Sequence, residues 1–210
     1  IAVPFINSGS VEVESGTLDL HGSLTIGGDN YLAIHPTACL AVGGDLLGDS
    51  QNASDFDLQG SVQFDGRGTA NSPQQLEVMG RDLGAVPQGF VGNFSMGTLS
   101  LGGTTSVTYV RLIDHADNAA GDGAEAVYVD RLEVPNGYTL DLNGLNLYVR
   151  ELHVDGTVMG DGIHDLAPEV TGEQFNVSLT DPSDPNSVWG YQRSEIRNIE
   201  VTFSEEMAPI

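Results

Sequence analysis

A seven-residue stretch of the chain returns twenty residues later with its apolar positions kept and its charges reversed in sign. The first copy is YVDRLEV at residues 128–134, and the second is YVRELHV at residues 148–154. Asp130 is replaced by Arg150, and the arginine that follows is replaced by a glutamate. Equivalent residues on adjacent strands lie about 4.8 Å apart, so a sign reversal between them replaces repulsion by attraction. The repeat therefore predicts strands stacked in parallel, as in a solenoid.

Short apolar–x–apolar triplets fill the first half of the chain. Gly, Ser, Asn and Asp separate them, and these residues favour turns. Each triplet is interpreted as a short strand with alternate residues facing inward, and no window has helical spacing. The triplets are Val11/Val13, Leu18/Leu20, Leu24/Ile26, Leu32/Ile34, Leu40/Val42, Phe56/Leu58, Val62/Phe64, Leu76/Val78 and Leu99/Leu101.

Three series of triplets share a period close to 22 residues. The longest is Val11, Leu32, Phe56, Leu76 and Leu99, with steps of 21, 24, 20 and 23 residues. The other two are Leu18, Leu40 and Val62, and the pair Leu24 and Leu46, all with steps of 22 residues. A competing period of 16 residues, which matches residues 24–28 with 40–44, has only one series behind it.

The second half of the chain continues this order with a shorter step. Tyr109 precedes Tyr128 by 19 residues, and Tyr128 precedes Tyr148 by 20. About 22 residues accommodate three short strands and three turns, which is the content of one coil of a parallel β-helix. We therefore predict an all-β fold, a right-handed parallel β-helix with about 20–22 residues per coil, over residues 1–162.

Beyond residue 162 the apolar alternation weakens. Residues 163–192 contain three prolines and few apolar positions, which predicts a linker or irregular region. Residues 193–210 include a strand-like alternation for which the sequence offers no hairpin partner. Its apolar positions are Ile196, Ile199, Val201 and Phe203. We predict a lone strand here, which adds to a sheet edge of a neighbouring subunit by β-augmentation.

The charge of the chain limits its partners. The formal net charge is −23, from 30 acidic and 7 basic residues, and lysine is absent. Nucleic acids and anionic membranes both require a basic surface, so neither is an expected partner. No apolar run approaches the ~20 residues that span a bilayer, so membrane insertion is not expected. This composition is typical of an extracellular or cell-surface protein, and that is the predicted location.

One loop is a candidate calcium site. Asp114, Asp117, Asn118 and Asp122 lie within nine residues, beside glycines that favour an oxygen-rich turn. The loop matches no EF-hand pattern, and the competing interpretation is an acidic loop that only contacts water. Apart from calcium, no cofactor is predicted.

The sequence contains no specific catalytic motif. Polysaccharide lyases on parallel β-helices need an arginine or lysine base, and Arg111, Arg131 and Arg150 are spaced about one coil apart. The twenty-residue register, however, places a carboxylate opposite each arginine of the repeat, which predicts ion pairs. Glycosidases use two carboxylates a set distance apart. Because the chain has thirty acidic residues, some pair will meet that distance by chance, so such a pair does not indicate a glycosidase. No zinc, nucleophile-elbow or phosphate-loop motif is present. We therefore predict a protein that is not an enzyme.

Parts of the chain resemble a known class of repeat proteins. Residues 7–18 (NSGSVEVESGTL) resemble the repeat phrase of haemagglutinin- and autotransporter-type right-handed β-helices of planctomycete-like bacteria. Residues 137–149 resemble the final coils of such proteins, and residues 192–204 are similar to the first strand of an Ig-like module. The resemblance implies a structural segment of a surface protein or fibre, which associates with itself through solenoid ends or the final strand. The alternative is a carbohydrate-active or carbohydrate-binding β-helix, with a glycan as partner.

Overall fold

The regular structure of the chain consists of β-strands, which confirms the all-β prediction. The computed structural model describes residues 5–28, 30–103, 109–119 and 123–166, and the backbone of 170–177 and 196–203. These residues include no α-helix, and the two 3₁₀ helices, Ala53–Asp55 and Pro87–Phe90, lie in connections. Residue contacts divide the chain into two units, Ile1–Ala167 and Pro168–Ile210.

The first unit contains the strands β1 to β17. They are β1 (Phe5–Asn7), β2 (Ser10–Val13), β3 (Gly16–Leu20), β4 (Leu24–Ile26), β5 (Tyr31–Ile34), β6 (Ala38–Val42), β7 (Leu46–Gly48), β8 (Phe56–Phe64), β9 (Gln74–Glu77), β10 (Gly80–Arg81), β11 (Met96–Leu101), β12 (Tyr109–Ile113), β13 (Glu125–Val134), β14 (Thr139–Asp141), β15 (Asn146–Val154), β16 (Thr157–Met159) and β17 (Ile163–Asp165).

These strands form two sheets, and the chain visits them alternately. The seven-stranded sheet has the order β1-β4-β7-β9-β12-β14-β16, with parallel pairings throughout. The ten-stranded sheet has the order β17-β15-β13-β11-β8-β5-β2. β3 and β6 extend it beside β8, and β10 pairs antiparallel with β13. No strand pairing joins the two sheets among the described residues.

The register confirms the twenty-residue repeat. In β13 and β15, Tyr128 is paired with Tyr148 and Leu132 with Leu152, in parallel. The period of 22 residues is confirmed as well, because Leu24 lies opposite Leu46 in the other sheet. The same period holds for the series of Leu18, Leu40 and Val62 in the ten-stranded sheet.

Two residues of the predicted series are in the wrong place, and three of its steps fail with them. Leu76 belongs to the seven-stranded sheet, opposite Leu46 and Leu112, and not between Phe56 and Leu99. Tyr109 lies opposite Thr139 in that sheet and not opposite Tyr128. The physical reason is that strands of both sheets have the same apolar alternation. The polar loops between strands differ in length, so residues of different sheets can by chance lie about twenty residues apart and resemble a repeat.

The core lies on the inward side of the strands. One column of apolar side chains crosses the ten-stranded sheet through Leu40, Val62, Leu99 and Leu132, all with 0% exposure. Burying each such side chain contributes about 1.5–3 kcal/mol. Cys39, beside this column, is only half-buried, because alternate residues of β6 face the other way.

The second unit corrects the prediction of a lone final strand. β18 (Val170–Val177) lies antiparallel to β19 (Ile196–Phe203), so β19 already has one partner. The paired residues include Val177 with Ile196, Phe175 with Ile199, Glu173 with Val201 and Val170 with Phe203. The partner escaped sequence analysis because eighteen residues separate the strands and no short turn links them. β17 and β18 also lie within residues 163–192, where a linker or irregular region was expected.

Replacement of a central core residue tests this packing. In Leu99→Ala the cavity lies between Val62 and Leu132, so we expect the free energy of unfolding to fall by about 2–5 kcal/mol. Urea denaturation measures it. The matched control is Leu83→Ala, at a leucine that is 41% exposed and should lose much less. Equal losses in the two variants would contradict the placement of Leu99 in the core.

Candidate functional site

The outer face of the ten-stranded sheet carries the charge-reversed repeat. Arg150 Nη1 donates to Asp130 Oδ1 at 2.8 Å, and Arg131 Nη1 donates to Glu151. Arg131 Nε also donates to Glu133 at 2.7 Å. The ion pairs predicted from the twenty-residue repeat are therefore confirmed, and both arginines are neutralised. Neither guanidinium is presented to a substrate as an unpaired cation.

Arg111 lies in the other sheet, so the three arginines do not form one ladder. Its Nε donates to Asp141 Oδ2 at 2.8 Å, and the Tyr109 hydroxyl donates to the same oxygen at 2.9 Å. Burial alone would raise the pKa of Asp141, but these hydrogen bonds outweigh it and lower the pKa below its ordinary value. The cluster is a satisfied ion pair that links β12 to β14.

A stack of rings occupies the outer side of β13, β15 and β17. Tyr128 and Tyr148 stack with centroids 4.7 Å apart, and Tyr148 and His164 stack at 4.6 Å. The tyrosines are nevertheless buried, because residues 80–95, which we call the covering loop, lie over them. The Tyr128 hydroxyl donates to the carbonyl of Gly84 and accepts the N–H of Leu83. The repeated tyrosines thus anchor the covering loop and do not fill the main core.

Asp82 ties the covering loop to the stack. Its carboxylate accepts hydrogen bonds from Asn146 Nδ2 at 2.7 Å, the Tyr148 hydroxyl at 2.9 Å and the N–H of Gly84 at 2.9 Å. Burial alone would raise the pKa of Asp82, but the three donors outweigh it and lower the pKa. For Tyr148, burial and the adjacent carboxylate raise the pKa. Both groups therefore hold their ordinary charge states more firmly, as a structural clamp requires.

The predicted calcium residues are only partly brought together. Asp114 and Asp117 are exposed, whereas Asn118 is 1% exposed and its Nδ2 donates to the carbonyls of Gly48 and Ser50. Asp122 lies outside the described residues. Within the described ranges, no three His, Cys, Asp or Glu side chains are grouped so that they can hold a metal ion. Calcium binding in this loop therefore stays a prediction.

Glu125 is the buried acid that sequence analysis missed. Its Oε1 accepts the N–H groups of Asn118 at 2.6 Å and Ala119 at 2.5 Å. Its Oε2 and the Oδ1 of Asn118 are buried without a hydrogen-bond partner among the described residues. Burial raises the pKa of Glu125 above its ordinary value, although the two N–H donors oppose the shift. No sequence signal marks it, since a glutamate at the start of a strand resembles any solvated charge.

A groove of about 650 Å³ opens on the outer face beside the covering loop. Its lining includes Asp57 and Gln59 of β8, the ring of Tyr31, Gly97 of β11 and Phe90 of the covering loop. The outward residues of β8 alternate with buried core residues, which places this part of the lining on the solvent side of the sheet. No motif marked the groove, because its residues come from distant parts of the chain.

Comparisons with known proteins add no identity to this description. No family model matches the chain, and no curated protein or solved structure matches it. The part of the chain that the structure describes contains no helix of the length and apolarity that crossing a membrane requires. The function is therefore inferred from the geometry described above.

The buried glutamate yields a pH-dependent prediction. Glu125→Gln keeps an oxygen for the two N–H donors and removes the titrating group. Because the folded pKa of Glu125 is raised above 4.5, its contribution to stability is present below that value and is lost as pH rises through the folded pKa. We therefore expect the free energy of unfolding of the variant, relative to the wild type, to increase with pH over this window. Urea denaturation at a series of pH values measures it.

Asp82→Asn is the control of opposite sign. The folded pKa of Asp82 is lowered below 3.8, so its contribution to stability is present above that value and is lost as pH falls through the lowered pKa. This variant should be destabilised most at neutral pH and least in acid. A stability difference for Glu125→Gln that stays constant across the pH series would contradict the assignment of Glu125 as a buried acid.

Proposed function

We propose that the chain is a non-catalytic structural segment of an extracellular bacterial surface protein or fibre, built as a right-handed parallel β-helix of the haemagglutinin and autotransporter-like type. The observation that carries the proposal is the parallel pairing of strands about twenty residues apart in both sheets. The right hand follows from the rule that crossovers between parallel strands are right-handed in about 98% of cases.

The side-chain chemistry of the outer face supports a structural role. The charged groups of the repeat bind one another across strands, and the tyrosines bind the covering loop. Exposed pairs of this kind contribute little to stability, but they favour one register over its neighbours. A segment that supports load or spaces other domains needs that fixed register more than it needs a reactive centre.

Self-association is proposed to use the edge formed by β1, β2 and β3. Within the described residues these strands pair on one side only, and unpaired strand edges recruit further strands. Ile6 of β1 is 70% exposed and Phe5 is 38% exposed, while Val11 of β2 and Leu18 of β3 are half-buried against the core. The edge therefore offers both backbone groups and apolar surface to a second chain.

The opposite edge is less suited to stacking. β17 is the last strand of the ten-stranded sheet, and Asp165 stands there in register with Val149. Val149 and its partner Val129 both face the core with 0% exposure. A charged residue that continues a core-facing column discourages the addition of another strand. Association through the edge of β1 to β3 is therefore preferred.

Strand addition at the C-terminal unit is the second route to association. β18 and β19 form a two-stranded sheet, and such a sheet alone is only marginally stable in water. A neighbouring strand along the side of either one that pairs with no described residue would stabilise it. The residues proposed for this contact are Ile196, Ile199, Val201 and Phe203.

The alternative function is a carbohydrate-active or carbohydrate-binding β-helix, which as an enzyme would be polysaccharide lyase-like. Its base would be an arginine, but Arg111, Arg131 and Arg150 each bind a carboxylate at hydrogen-bond distance. This pairing favours the structural proposal over the enzymatic one. Turnover of a polysaccharide by the purified chain would reverse that preference.

Association through β1 can be tested with a single charge. In Ile6→Asp a carboxylate enters the apolar edge, so we expect the association constant of the chain to fall by at least about tenfold. Light scattering coupled to size exclusion over a concentration series measures it. The control is Val91→Asp, at a residue 75% exposed on the covering loop, which should associate like the wild type.

Two further outcomes separate the routes of association. A wild-type chain that stays monomeric at all concentrations would contradict self-association itself. A chain shortened to residues 1–167, which keeps the whole first unit, should lose only the contribution of β18 and β19. If it assembles as well as the full chain, the strand-addition route is wrong and the β1 route stands.

A further inference from the structure

We propose that the groove beside the covering loop binds a segment of a neutral oligosaccharide without cleaving it. Its volume of about 650 Å³ lies within the range of small-molecule sites, about 300–1,000 Å³. The proposal goes beyond the structural role and does not depend on it, because the lining residues belong to one molecule.

The groove is held open by contacts that need no ligand. Asn93 Oδ1 accepts the N–H of Arg81 at 2.8 Å, and its Nδ2 donates to the carbonyl of Arg81 at 3.0 Å. The Phe94 ring packs edge-on against Phe56 at 5.4 Å, which fixes this part of the covering loop over β8. At Gly97 a Cβ would lie 2.0 Å from the carbonyl oxygen of Gln59, so no side chain can fill this part of the groove. The cavity is therefore preformed.

The lining offers hydrogen-bonding groups and apolar surface together. Asp57 and Gln59 lie side by side, with Gln59 Nε2 donating to Asp57 Oδ1 at 2.9 Å. Such a pair presents both acceptors and donors, which is what vicinal hydroxyl groups require. Tyr31 and the 75% exposed Val91 add apolar surface for the C–H face of a sugar ring. This combination suits a ligand that is rich in hydroxyl groups but also has apolar faces.

The charge of the lining selects a neutral ligand. Among the described residues the lining contains no arginine, lysine or histidine, and the adjacent Arg150, which lies 4.0 Å over the Phe90 ring, is paired with Asp130, so an acidic polysaccharide would meet no unpaired cation. Asp130, also in the lining, is already neutralised by Arg150 at 2.8 Å. Only Asp57 then remains to attract a cation, which is little for a basic peptide. A neutral saccharide is not repelled by these carboxylates, and it does not need a carboxylate to balance a positive charge.

The same groups favour binding over hydrolysis. Glycoside hydrolysis needs one carboxyl group that carries a proton and a second that acts as a base or nucleophile. Asp130 is engaged in an ion pair with Arg150 at 2.8 Å. Among the described residues of the lining, Asp57 is then the one remaining carboxylate. One carboxylate supports hydrogen bonding to hydroxyl groups but not the two-group mechanism.

Isothermal titration calorimetry with the full chain tests the proposal. The probes are cellohexaose, xylohexaose, mannohexaose and the hexamer of N-acetylglucosamine, with polygalacturonate and hexalysine as charged competitors. We expect at least one neutral hexamer to bind at micromolar to millimolar concentration and to remain uncleaved. Gln59→Ala and Asp57→Ala should each weaken binding about tenfold, because each removes a hydrogen-bonding group from the groove.

The matched control is Gln63→Ala, which alters the same residue type on the same strand outside the groove lining. It should bind like the wild type, and unfolding curves of all three variants show that they fold. The proposal is overturned if no neutral hexamer binds at millimolar concentration, or if the Gln59 and Asp57 variants bind unchanged. Tighter binding of polygalacturonate or hexalysine, or cleavage of a hexamer, overturns the stated ligand class or the absence of catalysis.

Discussion

Parallel, in-register hydrogen bonding between adjacent strands of each sheet is the constraint on which the first unit depends. It places Leu40, Val62, Leu99 and Leu132 in one buried column, since equal positions on successive strands face the same way. It also brings backbones so close that Gly60 has no room for a Cβ, which would lie 2.3 Å from a carbonyl oxygen. A shift of one residue would turn the whole column towards water. The hydrogen-bond ladder, the buried column and the glycine at position 60 therefore all depend on the same strand register.

The outer face repeats this logic with polar groups. The ladder places equivalent positions of the repeat side by side, and because their charges are opposite, Asp130 and Arg150 form an ion pair. Where it places Tyr128 beside Tyr148, the rings stack and provide a base for the covering loop. That loop also supplies one side of the groove, so the feature proposed for ligand binding rests on the same register as the core. Structure and binding surface are therefore not independent in this molecule.

Much of the ladder could be predicted from the sequence, but its surroundings could not. The repeat at Tyr128 and Tyr148 carries matched apolar and charged positions, and that double match identified the correct partner strand. Leu76 carried only an apolar match, which strands of both sheets share, and it was placed in the wrong sheet. The groove, Asp82 and Glu125 depend on contacts between distant segments, such as 66 residues between Asp82 and Tyr148. No local pattern records such contacts.

The repeated register has a consequence for how this molecule can change in length. Because β13 and β15 pair in parallel at a register of twenty residues, a duplicated unit inserted between them keeps the backbone ladder and the apolar columns continuous. If whole units are added between β13 and β15, Asp165 stays on the edge strand β17 and Ile6 stays on the edge strand β1, so both edges are unchanged. An insertion of a fraction of a unit would break every column that crosses it. This architecture can therefore lengthen in evolution by tandem duplication of whole units, but not by gradual insertion of residues within the strands.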